Sequence, residues 1–214
     1  MRYIDQANWP RRQHFEIFGS LDYPHVNMCV NVDLTAFYRE VKRLGISFNI
    51  ATVYVIARAA NAVPELRQRI RTGEVVEHDV VHPSTTIMSR DNLFSFCAIM
   101  YAEEFSLFAA RAAECVAMAQ AGPSLDDEPG RDDLLFLTAI PWVSFTSFVH
   151  PLHWHPVDSI PRFAWGKFFH EGQAVKMPLS MQAHHGLVDG LHFGHFFERA
   201  QALFDDPAGT LTVV

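Results

Sequence analysis

The chain reads as an α+β protein built around a mixed, largely antiparallel sheet. Three observations carry that expectation. Short segments rich in Val, Ile, Phe and Thr alternate with longer stretches of helical periodicity. The helical stretches are segregated rather than set one between each pair of strands, as in layered α+β folds. A Glu171-Gly172 turn joins two strand-like runs as a hairpin.

HVNMCVNVDL, His25 to Leu34, alternates apolar and polar positions and predicts a strand. Asp33 then caps a helix with Leu34, Phe37, Tyr38, Val41 and Leu44 at three-to-four spacing, closed by Gly45. A second helix over about Asn49 to Ala62 is apolar nearly all round and should be buried, with Pro64 marking its end. Glu74 to Val81, Thr85 to Ser89 and Leu93 to Tyr101 read as strands, and Ala102 to Ala121 as a third helix. PSLDDEPGRDD, Pro123 to Asp133, is an acidic loop punctuated by proline and glycine. The strand-like segments beyond it need partners, so the loop is internal and residues 1–214 form one domain.

Leu134 to Val149 is strand-like, with Pro141 demoting its middle to an edge or a bulge. Phe163 to Phe169 and Ala174 to Ala183 form the hairpin already named. The last helix, about Leu191 to Phe204, places Phe193, Phe196, Phe197, Ala200, Leu203 and Phe204 on one face.

Hydrophobic residues make up 49% and charged residues 19% of the chain, which supports a sizeable core. The 17 Lys and Arg are scattered among 24 acids, for a formal charge of -7, and this argues against nucleic acid as a partner. No apolar run is long enough to span a bilayer, and MRYIDQANWPRRQHF lacks the apolar centre of a secretory leader. Cys29, Cys97 and Cys115 sit singly in apolar segments, which predicts reduced core thiols in a cytoplasmic protein.

The chemistry concentrates in QAHHGLVDGLHF, Gln182 to Phe193. The pair His184-His185 ends a strand, and Asp189-Gly190 opens the final helix, so the motif lies on a strand-to-helix loop. An imidazole near its ordinary pKa of about 6.5 offers a neutral nitrogen for base work at pH 7. Adjacent residues on an extended chain face opposite ways, so one histidine faces a pocket and the other packs in the scaffold. Asp189 is either a direct partner of an imidazole or an anchor of the loop through an arginine. The plain alternative is a polar loop at a strand end. His150, His153 and His155 in HPLHWHP invite a metal, but Pro151 and Pro156 interrupt the segment and only Asp158 adds a further oxygen. No metal is expected there, and the segment reads as a solvent-side loop.

HHxxxDG between a strand and a helix resembles the signature of the CoA-dependent acyltransferases related to chloramphenicol acetyltransferase. NWPRRQHFEIF (from Asn8), PELRQRI (from Pro64), DNLFSFCAIMY (from Asp91), TAIPWVSFTSF (from Thr138) and MPLSMQAHHGLVDGLHFGHFF (from Met177) resemble further segments of that family. They follow in the same order from about residue 8 to residue 204. The resemblance implies a two-layer sandwich that assembles as a homotrimer with its active sites between subunits. It implies acetyl-CoA as co-substrate and direct transfer to an acceptor hydroxyl with His185 as general base.

Asp189 would then pair with Arg11, or with Arg12, to hold the loop, and Gly190 would let the chain turn into the helix. Thr138 stands where the family uses a serine hydroxyl to stabilise the oxyanion. Phe18, Phe94, Trp142, Phe148 and His150 fall at acceptor-pocket positions. Phe18 lacks the hydroxyl of the family's tyrosine, His150 stands where a leucine can occur, and Ala164 replaces a threonine. Three functions stay open on these grounds: acetylation of chloramphenicol, the same transfer to a different xenobiotic or metabolite alcohol, and binding of a hydrophobic ligand without turnover.

Overall fold

Period-two alternation gives each strand one face for the helices and one face left bare, and this division builds the site. The structure, a computed structural model, describes residues 1–89, 92–122, 125, 128 and 130–212. Its strands are β1 (Arg2–Tyr3), β2 (His25–Asp33), β3 (Gln68–Arg71), β4 (Glu74–Glu77) and β5 (His82–Met88), then β6 (Phe94–Ala98), β7 (Leu134–Ile140), β8 (Arg162–Gly166), β9 (Phe169–Glu171) and β10 (Ala174–His184). The helices are α1 (Arg12–Gly19), α2 (Thr35–Leu44), α3 (Phe48–Asn61), α4 (Phe105–Ala121), α5 (Gly190–Asp205) and α6 (Pro207–Thr210).

The main sheet has seven strands, in the order β2-β10-β8-β7-β5-β6 with β9 added to β10. The β7 strand runs parallel to both β5 and β8, and every other pairing is antiparallel. The architecture is therefore α+β with a mixed, open sheet packed by helices. Leu135 and Leu137 of β7, Phe163 and Trp165 of β8, and Leu179 and Met181 of β10 are buried in the core shared with the helices. From α3 the core takes Ala51 to Ile56 almost without interruption, apart from Thr52, and α5 adds Phe193, Phe196 and Phe204. Residues of the opposite parity, among them Thr86, Phe96, Phe136 and Thr138, line a cleft on the other face.

Local signals explain several boundaries. The Asp33 carboxylate accepts the Thr35 N–H at 2.8 Å, and α2 closes at Gly45 with φ +65°. The Ser47 hydroxyl caps α3 by accepting the Ile50 N–H at 3.4 Å. Gly172 turns β9 into β10 at φ +61°. Arg69, fully buried, donates to the carbonyls of Leu66, Gln68, Asp132 and Leu134 and so fastens the small sheet β1-β4-β3 to the start of β7.

Three expectations are corrected, and the elements α1, β1 and β3 join those expected. The strand beginning at Leu134 ends at Ile140, and β7 lies between β5 and β8 rather than at an edge. Pro141 stops the ladder because it has no N–H to donate. NWPRRQHFEIF contains the helix α1, and the short strands β1 and β3 flank β4. Cys97 on β6 and Cys115 on α4 form a disulfide with Cα atoms 5.8 Å apart, because α4 packs along β6; Cys29 stays free. His150 is half-buried in a cleft, not part of a solvent-side loop. Pro123, Ser124, Asp126, Asp127 and Pro129 of the acidic loop lie outside the described residues. Among the described residues no helix is long and apolar enough to cross a membrane.

Candidate active site

The last residue of β10, His184, and the first beyond it, His185, face opposite ways as an extended chain requires. His184 is 1% exposed and sits edge-on to His25, ring centroids 5.4 Å apart. Its Nδ1 accepts the Gly186 N–H at 3.1 Å. Burial, reinforced by the neighbouring His25 and His185 rings, pushes it down to about 4, so it is neutral at pH 7. A Cβ at Gly186 would lie 3.0 Å from the His184 ring and 3.2 Å from Phe15, so this close approach requires the glycine. The role expected of Gly190 is not the one it plays. A Cβ there meets nothing within 4 Å, and its φ is not in the left-handed region.

His185 lies flat on Phe18, with ring centroids 3.7 Å apart and planes 11° from parallel. Its Nδ1 is 3.0 Å from the Val188 carbonyl. A carbonyl only accepts, so Nδ1 carries the proton and Nε2 keeps its lone pair. That nitrogen has no hydrogen-bond partner among the described residues. The stack and the Val188 contact together fix a partly exposed imidazole with its Nε2 left open.

Asp189 opens α5, accepting the Leu191 N–H at 3.0 Å and meeting the Arg11 guanidinium at 2.5 Å. Arg12 instead pairs with Glu16 on the surface of α1. Burial would raise the Asp189 carboxyl, but the Arg11 hydrogen bond, the nearby His192 ring and the Arg11 charge outweigh it and hold it down to about 2. The ion pair ties the amino-terminal helix to the loop carrying His185, which is how Phe18 comes to lie on that ring.

A second group of expected residues gathers elsewhere. Phe94, Thr138, Trp142, Phe148 and His150 all line an apolar cleft of about 1480 Å³ on the bare face of the sheet. Register sets Thr138 beside Ala164 on β8, and Ala164 beside Ser180 on β10. The Phe148–His150 wall is clamped by side chains that the sequence did not single out. Asn27 and Ser180 both donate to the Phe148 carbonyl, at 2.7 and 3.0 Å, and Gln182 accepts the His150 N–H at 2.7 Å. Burial, with the Arg162 charge adding to it, pushes the His150 ring down to about 4. The cleft therefore presents a neutral imidazole among aromatic rings. Among the described residues no group of three or more His, Cys, Asp or Glu side chains could hold a metal ion.

The two groups do not meet within one chain. His185 lies five residues beyond Ser180 along β10, and Thr138 lies two strands away from Ser180. At strand spacings of about 3.3 Å per residue and about 4.8 Å per strand, the separation is roughly 19 Å. Phe18 follows His185, while the other four expected pocket residues follow Thr138.

This fold, with its HHxxxDG loop between a strand and a helix, defines an acyltransferase. Comparison with known proteins narrows the class: the chain belongs to the chloramphenicol acetyltransferase family, whose pattern matches residues 1–201. It is 34% identical to the chloramphenicol acetyltransferases of Klebsiella sp and of Escherichia coli, over 96% of this chain and 94% of each relative. A solved chloramphenicol acetyltransferase superposes with a TM-score of 0.86 at 26% identity, covering 95% of this chain and 99% of the other.

Proposed function

We propose that the protein transfers the acetyl group of acetyl-CoA directly to a hydroxyl of a small hydrophobic acceptor, chloramphenicol in the first instance. The transfer takes place at sites shared between the subunits of a homotrimer. The observation that carries the chemistry is the fixed tautomer of His185, whose Nδ1 is committed to Val188 while Nε2 is free. In the proposed reaction Nε2 takes the acceptor's hydroxyl proton as that oxygen attacks the thioester carbonyl. The Thr138 hydroxyl of the neighbouring subunit donates to the oxyanion of the tetrahedral intermediate. Collapse breaks the carbon–sulfur bond, and the CoA thiolate leaves with the proton from the His185 imidazolium.

The assembly follows from the separation of His185 and Thr138 within one chain, which a neighbouring subunit would close. The bare sheet face supports the same reading. Met88, Phe94 and Trp142 are exposed there by 42%, 45% and 66%, a cluster of large apolar side chains of the kind that marks an interaction surface. A CoA donor places the reaction in the cytoplasm.

Chloramphenicol is the acceptor after which the relatives are named. A second acceptor class is favoured by one feature, the neutral His150 ring in an otherwise aromatic wall beside Ala164. A site that hydrogen-bonds its substrate discriminates strongly, because an unpaired buried polar group costs about 1–3 kcal/mol. Thiol release from acetyl-CoA, followed with chloramphenicol and with a panel of other alcohols, separates the two. Turnover with chloramphenicol that disappears in His185→Ala supports the proposal. Absence of turnover with every alcohol would leave a ligand-binding protein instead.

A further inference from the structure

The peptide between Val188 and Asp189 is gripped on both sides. Its C=O accepts the His185 Nδ1 proton at 3.0 Å, and its N–H donates to Nδ1 of His192 at 3.1 Å. Because the peptide unit is planar and trans, its two ends are rigidly coupled. Whatever holds the N–H also fixes the direction of the carbonyl that sets the tautomer of His185. His192 sits at the third position of α5, 6% exposed, where a Glu or Gln usually completes a capping box with an aspartate N-cap. A glutamate there would put a full negative charge beside Asp189. An imidazole accepts the same N–H without one.

We infer that His192 is a positioning residue for the acyl transfer, acting on His185 through the Val188–Asp189 peptide. To accept the Asp189 N–H, His192 must be unprotonated at Nδ1 and so carry its proton on Nε2. Glu65, on the 3-10 turn Pro64–Arg67, places a carboxylate oxygen 3.6 Å from that Nε2. This is too far for a hydrogen bond but close enough to favour the Nε2–H form electrostatically. The charged and titratable groups around His192 are Glu65, Asp189 with its partner Arg11, and His195, whose ring centroid is 6.5 Å away. Protonating His192 reverses the contact. Its Nδ1 would then donate to Asp189 Oδ1, 2.9 Å away, and the Asp189 N–H would lose its acceptor. The His192 ring, the Val188–Asp189 peptide and the His185 ring thus form one hydrogen-bonded chain in which each donor polarises the next, with the Glu65 carboxylate beside its far end.

The role rests on His185 being the base, and the test keeps the two separable. His192→Phe keeps the ring's bulk and removes the acceptor, whereas His192→Asn puts an amide oxygen close to the position of Nδ1. The phenylalanine variant is expected to lose roughly tenfold to a hundredfold in kcat, the scale of a small misplacement of a catalytic group, with KM for acetyl-CoA and acceptor within about twofold. The asparagine variant is expected to recover most of that loss.

In 15N-histidine protein, His185 should show a protonated Nδ1 and a bare Nε2, a pattern that becomes mixed in His192→Phe and returns in His192→Asn. Wild-type kcat with an unchanged His185 tautomer in His192→Phe, or no recovery in His192→Asn, overturns the assignment. So does a protonated Nδ1 on His192 in the wild-type protein at pH 7.5, a measurement that needs no variant to fold. If His185→Ala kept its turnover, the base itself would be wrong, and the ring spectra would still judge the positioning on their own.

Discussion

Arg11 and Asp189, 178 positions apart in the chain, meet through a contact of 2.5 Å between guanidinium and carboxylate. Two further Arg11 nitrogens, Nε and Nη2, are buried with no hydrogen-bond partner among the described residues, so the Asp189 contact is the side chain's one bond there. A double-mutant cycle with Arg11→Leu and Asp189→Asn should give a coupling of about 1–3 kcal/mol in urea unfolding. Each single variant should lose most of the kcat that the double variant loses, because either one frees the same loop. Additive losses would mean that the pair does not act as a unit.

Thr138 lines the cleft, and its hydroxyl makes no hydrogen bond among the described residues. Thr138→Val keeps the shape of the side chain and removes only the donor. Its kcat is expected to fall about 10²–10³-fold with little change in KM, the usual loss of an oxyanion donor. Thr138→Ser should stay within about tenfold of the parent, since it restores the hydroxyl without the methyl that stiffens χ1.

If each site draws His185 from one subunit and Thr138 from its neighbour, two dead variants should complement each other. His185→Ala and Thr138→Val, each inactive alone, should regain about a quarter of wild-type activity when unfolded and refolded together at equal amounts. That fraction is the chance that a given pair in a closed ring supplies both intact groups. No recovery in mixed trimers would put both groups in one chain and contradict the separation along the sheet.

Two acid transitions should be separable. His184 and His150 have folded pKa values lowered to about 4 from an ordinary 6.5, so unfolded chains bind more protons than folded ones between those limits. Stability should therefore be unaffected above pH 6.5 and fall as the pH drops toward 4, by up to about 3 kcal/mol for a fully buried ring. Asp189 adds a second loss of the same sign at lower pH. Its carboxyl is depressed to about 2 from 3.8, so its contribution is present above pH 3.8 and is lost as the pH falls through about 2. Thermal midpoints measured against pH should show the first slope flattened in His184→Asn and the second in Asp189→Asn.

The loop chemistry was legible because it is local. A strand end, two adjacent rings and an aspartate ahead of a helix follow from spacing alone, and the structure makes that aspartate the N-cap of α5 as well. The choice between Arg11 and Arg12 was not local; it depends on which guanidinium α1 turns inward, and Arg12 is occupied by Glu16. The fate of Leu134 to Val149 was misjudged past Pro141, because apolar content persists there after the ladder stops. His150 gave no sign of burial in its own neighbourhood, since Gln182, 32 residues away, fixes its backbone. Cys97 and Cys115 looked isolated for the same reason: their facing arises from the packing of α4 on β6. His192 did carry a signal, three places after the cap, but in a residue type that capping rules do not favour.

The cleft that holds His150 and the stacked ring of His185 are built from different stretches of the sheet and share no clamping residue. Asn27, Ser180 and Gln182 steady one, while Phe18, Arg11 and Asp189 steady the other. With the roles proposed above, changes that retune which molecules are welcomed can accumulate on one side while the half that holds His185 stays untouched, and a lineage can shift its diet without first losing its chemistry.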